Sequence, residues 1–242
     1  IPEAQFELGF IYSEGKYIMH DINKAIHYFS LAANQNHLEA QFNLGLIYYE
    51  GKYTNRDINK AINYFQLAAN QNHPEAQFNL GSIYYEGKYI TFDISKAIHY
   101  FQLAAKQNVP NAQFSLGIIF YEGKYIECDI DKAIHYFSAA ANQNHPESQF
   151  FLGVIYYEGR YVRHDINNAI HYFQLAANQN IPEAQFNLGS IYDEGKYVTR
   201  DINKAIHYFS LAANHNILEA QFKLAMIYYK EKYASRDIEK AI

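Results

Sequence analysis

Glutamates carry the first chemical signal in this chain. Glu14, Glu50, Glu86, Glu122, Glu158 and Glu194 stand 36 residues apart, and Glu3, Glu39, Glu75, Glu147, Glu183 and Glu219 keep the same period with Asn111 in the gap. Together they are 12 of the 25 acidic residues. Carboxylates gathered on one surface steer a basic or amine-bearing peptide toward it, although a glutamate in the first turn of a helix also answers the macrodipole. Two further rows share the period. Asn43, Asn79 and Asn187 alternate with Ser115 and Phe151, and an amide both donates to and accepts from an extended backbone. Tyr49, Tyr85, Tyr121, Tyr157 and Tyr229 offer amphipathic rings that suit recognition or packing between repeats. Phe151 with Val154 and Ile118 makes the candidate apolar contact point.

Catalysis and metal binding fare worse. Equivalent residues of stacked helices lie roughly 10 Å apart, too far for a tuned carboxylate couple. The same distance excludes zinc, whose ligands sit about 2 Å from the ion, at the recurring His27, His99, His135, His171 and His207. His37, His73 and His145 fall near helix starts and read as incidental. Ser13-Glu14-Gly15-Lys16 matches the S-x-x-K spacing of acylating hydrolases, but other copies carry Tyr or Asp in place of that serine. Cys128 has no recurring base beside it to make it a nucleophile. No phosphate-cradling glycine loop occurs, so no cofactor and no metal are expected.

These rows need helices to hold them, and the punctuation supplies the frame. All twelve glycines fall in the positions of Gly9 and Gly15, and all five prolines in that of Pro2; a slot is numbered here by its residue in the first copy. A fixed repeat length means a stacked array. Full copies start near 2, 38, 74, 110, 146 and 182, with a shortened seventh from 218, forming one array over 1–242. Helix A is expected from Pro2 to Ser13, with proline at the first helical position and Ala4, Leu8, Ile11 and Tyr12 on one apolar face. Slots 3, 7, 10 and 14 make the opposite stripe. Helix B opens at Asp21, a capping residue, buries Ile22, Ala25, Ile26, Phe29, Ala32 and Ala33, and ends at Asn36, suited to a left-handed exit. In the seventh copy Ala225 and Glu231 replace glycines, yet a last helix B is still expected up to Ile242. Uncovered ends lead us to expect a fragment of a longer protein, able to stack end to end on another copy.

The pattern A-x-F-x-L-G-x-I-Y-x-x-G…D-x-x-K-A-x-x-Y-F-x-x-A-A, carried by Ala76, Phe78, Leu80, Gly81, Ile83, Tyr84, Gly87, Asp93, Lys96, Ala97, Tyr100, Phe101, Ala104 and Ala105, resembles the Sel-one-like repeat (SLR), a relative of the tetratricopeptide repeat. The resemblance implies an all-α, right-handed α/α superhelix of 36-residue helix–turn–helix units, with helix A on the concave side and an adaptor role in protein complexes. It also implies that the asparagine slot lines a groove, as in tetratricopeptide proteins, and it brings in a β-lactamase-like hydrolase as an alternative. A structural or regulatory array serving a missing catalytic domain is the third reading. Two features depart from the family. A loop glycine is replaced by Tyr17, Tyr53, Tyr89, Tyr125, Tyr161, Tyr197 and Tyr233, which puts that loop's backbone in question because tyrosine resists positive φ. The glycine after helix B is Asn throughout.

A net charge of −5 argues against nucleic acid or anionic membrane as the main partner, and no apolar run is long enough to span a bilayer. A single cysteine favours a reducing, cytoplasmic setting. The sequence therefore predicts a non-enzymatic scaffold holding a protein or peptide, basic in character, along Asn43, Asn79, Ser115, Ile118, Phe151, Val154 and Asn187, the tyrosines Tyr49, Tyr85, Tyr121 and Tyr157, and the glutamates Glu50, Glu86, Glu122 and Glu158.

Overall fold

A computed structural model describes residues 1–15, 19–52 and 54–241, with side chains as far as Lys230. Lys16, Tyr17, Tyr53, Ile242 and the side chain of Tyr233 lie outside the described residues. Among those described, every regular element is an α-helix. Helix A of successive copies is α1 (Pro2–Glu14), α3 (Leu38–Glu50), α5 (Pro74–Glu86), α7 (Pro110–Glu122), α9 (Pro146–Glu158) and α11 (Pro182–Glu194). Helix B is α2 (Ile22–Ala33), α4 (Ile58–Asn70), α6 (Ile94–Lys106), α8 (Ile130–Ala141), α10 (Ile166–Asn178) and α12 (Ile202–Asn214), and α13 (Leu218–Ala241) closes the chain.

The chain forms two compact units, residues 1–119 with 124–127 and residues 120–123 with 128–242. In the first, α1 through α6 pack each against the next; in the second, α8 through α13 do the same. This is the α/α solenoid repeat pattern, built from consecutive helix pairs.

Small residues make the close packing possible. The ring of Phe101 lies flat on Gly81, where an added Cβ would sit 2.6 Å from the ring. Phe65, Phe173 and Phe209 meet Gly45, Gly153 and Gly189 in the same way, and they are fully buried, as are Phe137, Ala61, Ala133, Ala169 and Ala205. Aspartate opens helix B as expected: Asp93 Oδ1 accepts from the Lys96 amide at 3.0 Å, and Asp57, Asp129 and Asp201 repeat the bond. Asn36, Asn72, Asn108, Asn144, Asn180 and Asn216 all take left-handed φ between 61 and 68°, which lets the following amide reach back, as His37 does to the Ala32 carbonyl at 3.2 Å.

Helix A runs to Glu14, one residue past Ser13, and exits through glycine, Gly87 at φ 58° for example. Tyr89, Tyr125, Tyr161 and Tyr197 stay outside the left-handed region, so the loop accommodates tyrosine without strain. The seventh copy corrects an expectation. No second helix begins there; α13 runs unbroken from Leu218 to Ala241. Glu231 stands where every other copy has glycine, and the left-handed exit that ends helix A is thereby removed.

Candidate functional site

Each unit displays its own part of the helix-A stripe. In the first, Asn43, Asn79, Ser115 and Ile118 are half-buried, and Glu50 and Glu86 are exposed. In the second, Tyr121, Phe151, Val154, Tyr157 and Asn187 are half-buried and Glu122 and Glu158 exposed.

The tyrosine row is anchored from below. Tyr49, Tyr85, Tyr121 and Tyr157 each set the ring centroid 6.3 Å from a core phenylalanine, namely Phe65, Phe101, Phe137 and Phe173. Burial raises the phenol pKa of Tyr49, Tyr121 and Tyr157 above the usual value, and the next repeat's carboxylate, Glu86, Glu158 and Glu194 respectively, adds to the rise. Tyrosine of one repeat and glutamate of the next thus recur as electrostatic neighbours, a half-buried ring and an exposed carboxylate on the same helix-A stripe.

Other members of the stripe are partly committed. Asn43 donates its side-chain amide to the Glu39 carbonyl at 2.7 Å, and Ser115 donates to the Asn111 carbonyl at 2.8 Å. Phe151 stacks on Phe137 at 5.2 Å and meets Tyr121 edge-on at 5.7 Å, so its ring serves packing within the second unit. The first-turn glutamates are engaged as well. Buried His73 lies 3.5 Å from Glu39 and 3.4 Å from Glu75 through its two ring nitrogens.

That histidine is not incidental. His37, His73 and His145 cap helix A, their Nδ1 accepting from the amides of Ala40, Ala76 and Ser148, and His73 stacks on Phe42 at 4.2 Å. Burial holds the pKa of His145 below its ordinary value against the opposing pull of Glu147. The helix-B histidines are exposed and sit edge-on against the next tyrosine, as His99 does on Tyr100 at 5.2 Å.

Two recurring features escaped the sequence reading. Gln41, Gln77, Gln149 and Gln185 are almost wholly buried and donate to the helix-B carbonyls of Ala33, Ala69, Ala141 and Ala177. A basic residue follows each loop glycine, and Lys88, Lys124, Arg160 and Lys196 lie over the adjacent tyrosine ring, Lys196 4.7 Å from that of Tyr197. Glutamine in slot 5 of all seven copies was the available signal for the first.

Of the candidate acylating pair, only the serine falls among the described residues. Ser13 donates its hydroxyl to the Phe10 carbonyl at 2.8 Å, and Lys16 lies outside the described residues. Exposed Cys128 points its thiol at the Tyr121 carbonyl, 3.4 Å away. Among the described residues no group of three His, Cys, Asp or Glu side chains is placed to hold a metal, and no helix is long and apolar enough to cross a membrane.

Comparison with known proteins fits this architecture. A Sel1 repeat protein from Oxalobacter formigenes superposes with a TM-score of 0.80 at 31% identity, over 93% of this chain and 65% of that one. The protective antigen c5321 of uropathogenic Escherichia coli, which displays an SLR fold, gives 0.63 at 28% identity over 94% and 56%. The chain thus spans less than two thirds of either relative. No curated protein matches it. The Sel1 repeat profile matches residues 2–37, 38–73, 74–109, 110–145, 146–181, 182–217 and 218–242. The chain therefore belongs to the Sel1 repeat family, whose members are generally protein-interaction scaffolds.

Proposed function

We propose that this chain is a non-enzymatic scaffold that holds an extended, basic segment of a partner protein along its helix-A faces. One observation carries the reading: the recurring pair of a half-buried tyrosine and the next repeat's carboxylate, seen for Tyr49, Tyr121 and Tyr157. Each pair offers an apolar ring for a lysine or arginine stem and a carboxylate for its head group, the two needs of a snorkelling cation. Asn79 and Asn187, half-buried on the same stripe, supply amides for the backbone of such a segment.

Fluorescence anisotropy with a labelled, arginine- and lysine-rich peptide tests this. Replacing Glu86, Glu158 and Glu194 together by glutamine should weaken binding about tenfold, roughly 1.4 kcal/mol shared among three partly exposed pairs. Raising salt from about 0.05 M to about 0.5 M should weaken it further. An affinity indifferent to salt, to the triple variant and to Asn79→Ala would dispose of the reading.

A further inference from the structure

Tyrosine holds slot 13 in most copies, but Ser13 and Asp193 take its place at two junctions. Cavities open at both. One, of about 180 Å³, is bordered by Ser13, Phe29, Asn43 and Glu50. The other, of about 360 Å³, is bordered by Asp193, Arg200, Phe222, Lys223, Met226 and Lys230. The two linings share six repeat slots, those of residues 7, 10, 11, 13, 14 and 22, so we read each as a socket that a tyrosine fills elsewhere.

Tyr121 shows how the socket is occupied. Its ring meets Phe151, and its hydroxyl is influenced by Glu158 and Cys128. The residues in those three slots around Asp193 are Lys223, Lys230 and Arg200. The slots are thus shared, while one negative and two neutral side chains around Tyr121 give way to three positive ones around Asp193. Arg200 is consumed by Asp193, with a contact of 2.9 Å to the carboxylate and a bond of 2.7 Å to its carbonyl. Lys223 and Lys230 form no ion pair among the described residues, and they stand beside a floor that includes Phe222, 65% exposed, and Met226, 39% exposed.

We propose that the Asp193 socket receives an aromatic side chain of a partner protein that carries an acidic residue next to it. The inserted ring replaces the missing tyrosine, and the neighbouring carboxylate meets Lys223 and Lys230. This extends the scaffold reading with side chains that the basic-segment site does not use.

The chain has only two methionines, Met19 and Met226. Methyl-labelled methionine therefore gives an NMR reporter inside the socket, with Met19, 87% exposed, as its internal control. 4-Hydroxyphenylacetate, a phenol with a carboxylate, should shift the Met226 methyl saturably and leave Met19 in place, and tyramine, the matching amine, should bind at least about fivefold more weakly. Asp193→Tyr should fill the socket, move the Met226 methyl by ring current without added probe, and weaken the probe at least about tenfold while helicity is retained. Joint Lys223→Glu and Lys230→Glu replacement should reverse the preference toward tyramine. A Met226 methyl that ignores the phenolic acid overturns the proposal. So does an equal response in Asp193→Tyr, or an unchanged ranking in the lysine variant. Titration of the same samples with the basic peptide reports the glutamate stripe separately, so each reading can fail alone.

Discussion

Replacing His215 by glutamine is expected to stabilise the protein. The glutamine of slot 35 donates to the glutamine of slot 5: Gln35 to half-buried Gln5 at 2.6 Å, and Gln71 to Gln41, Gln107 to Gln77 and Gln179 to Gln149, all three acceptors buried, at 2.8 Å. The sixth copy has His215 in slot 35, and there Gln185 Oε1 is buried without a partner. Its amide nitrogen still donates to the Ala177 carbonyl at 3.2 Å, so one lone acceptor is at stake. A buried acceptor left unpaired costs about 1–3 kcal/mol. Restoring its donor must still order one long side chain, a cost of up to about 2 kcal/mol that the mostly exposed slot reduces. A net gain of about 1 kcal/mol is expected from His215→Gln, and an equal loss from Gln179→His, which recreates the defect at Gln149. For a cooperative unit of this size 1 kcal/mol moves the melting temperature by about 2–4 °C. Because repeat stability is shared mainly with neighbours, amide exchange should slow chiefly in α11 and α12. An unchanged or lowered melting temperature in His215→Gln, together with unaltered exchange in α11, would refute the reasoning.

Three further outcomes follow from the same packing. Gly81→Ala should cost about 1–2 kcal/mol in urea denaturation. The new Cβ meets the Phe101 ring at 2.6 Å, and overpacking of about 1–3 kcal/mol outweighs the roughly 1 kcal/mol that alanine gains in a helix. Asn72→Ala should lose about 1 kcal/mol, while Asn72→Gly should lose little or gain, because φ of 65° at that residue penalises a Cβ that cannot hydrogen-bond locally; the same denaturation curves compare the two. His145 binds its proton more weakly in the folded chain than in the unfolded one, since burial lowers its pKa. Its contribution is therefore complete above the ordinary histidine value of about 6.5 and is lost as pH falls from there toward the folded value. Between about pH 7.5 and about pH 5.5, wild type should lose more stability than His145→Val, whose side chain matches Val109 in the same slot; parallel slopes would count against this.

The helices were legible because each boundary is written in residues with one dominant local preference. Proline opens helix A, aspartate caps helix B, and asparagine or glycine turns the chain left-handed; none of these needs distant contacts to act. The family resemblance and the solenoid pattern follow from that punctuation. Histidine caps and the glutamine ladder were harder to see. A histidine caps only when its ring is held against a neighbouring phenylalanine, as Phe42 holds His73, and a buried glutamine is tolerable only where carbonyls left open by a helix end await it. Both facts belong to the packing of one repeat on the next. The length of α13 was missed for a different reason: its sequence still carries the slots of a helix B, but the single change at Glu231 removes the exit that would separate one.

The slots that recur explain why the chain folds, and the slots that deviate carry the proposed discrimination between partners. A tyrosine in slot 13 occupies the space between two repeats and stays half-buried, with the next repeat's carboxylate as its neighbour. A serine or an aspartate there leaves the space open. Along the same face slot 14 is glutamate from Glu14 to Glu194 and becomes lysine at Lys230, and slot 7 passes from Asn43 through Phe151 to Lys223. An array of identical repeats would bind the same chemistry at every register and could not fix where a partner segment begins. These substitutions break that degeneracy. A basic segment has several acidic sites to choose from, whereas the proposed aromatic and acidic anchor fits one socket with two lysines beside it. Register is then set by the exception and avidity by the repetition, since a second contact made by an already tethered segment gains from its high effective concentration.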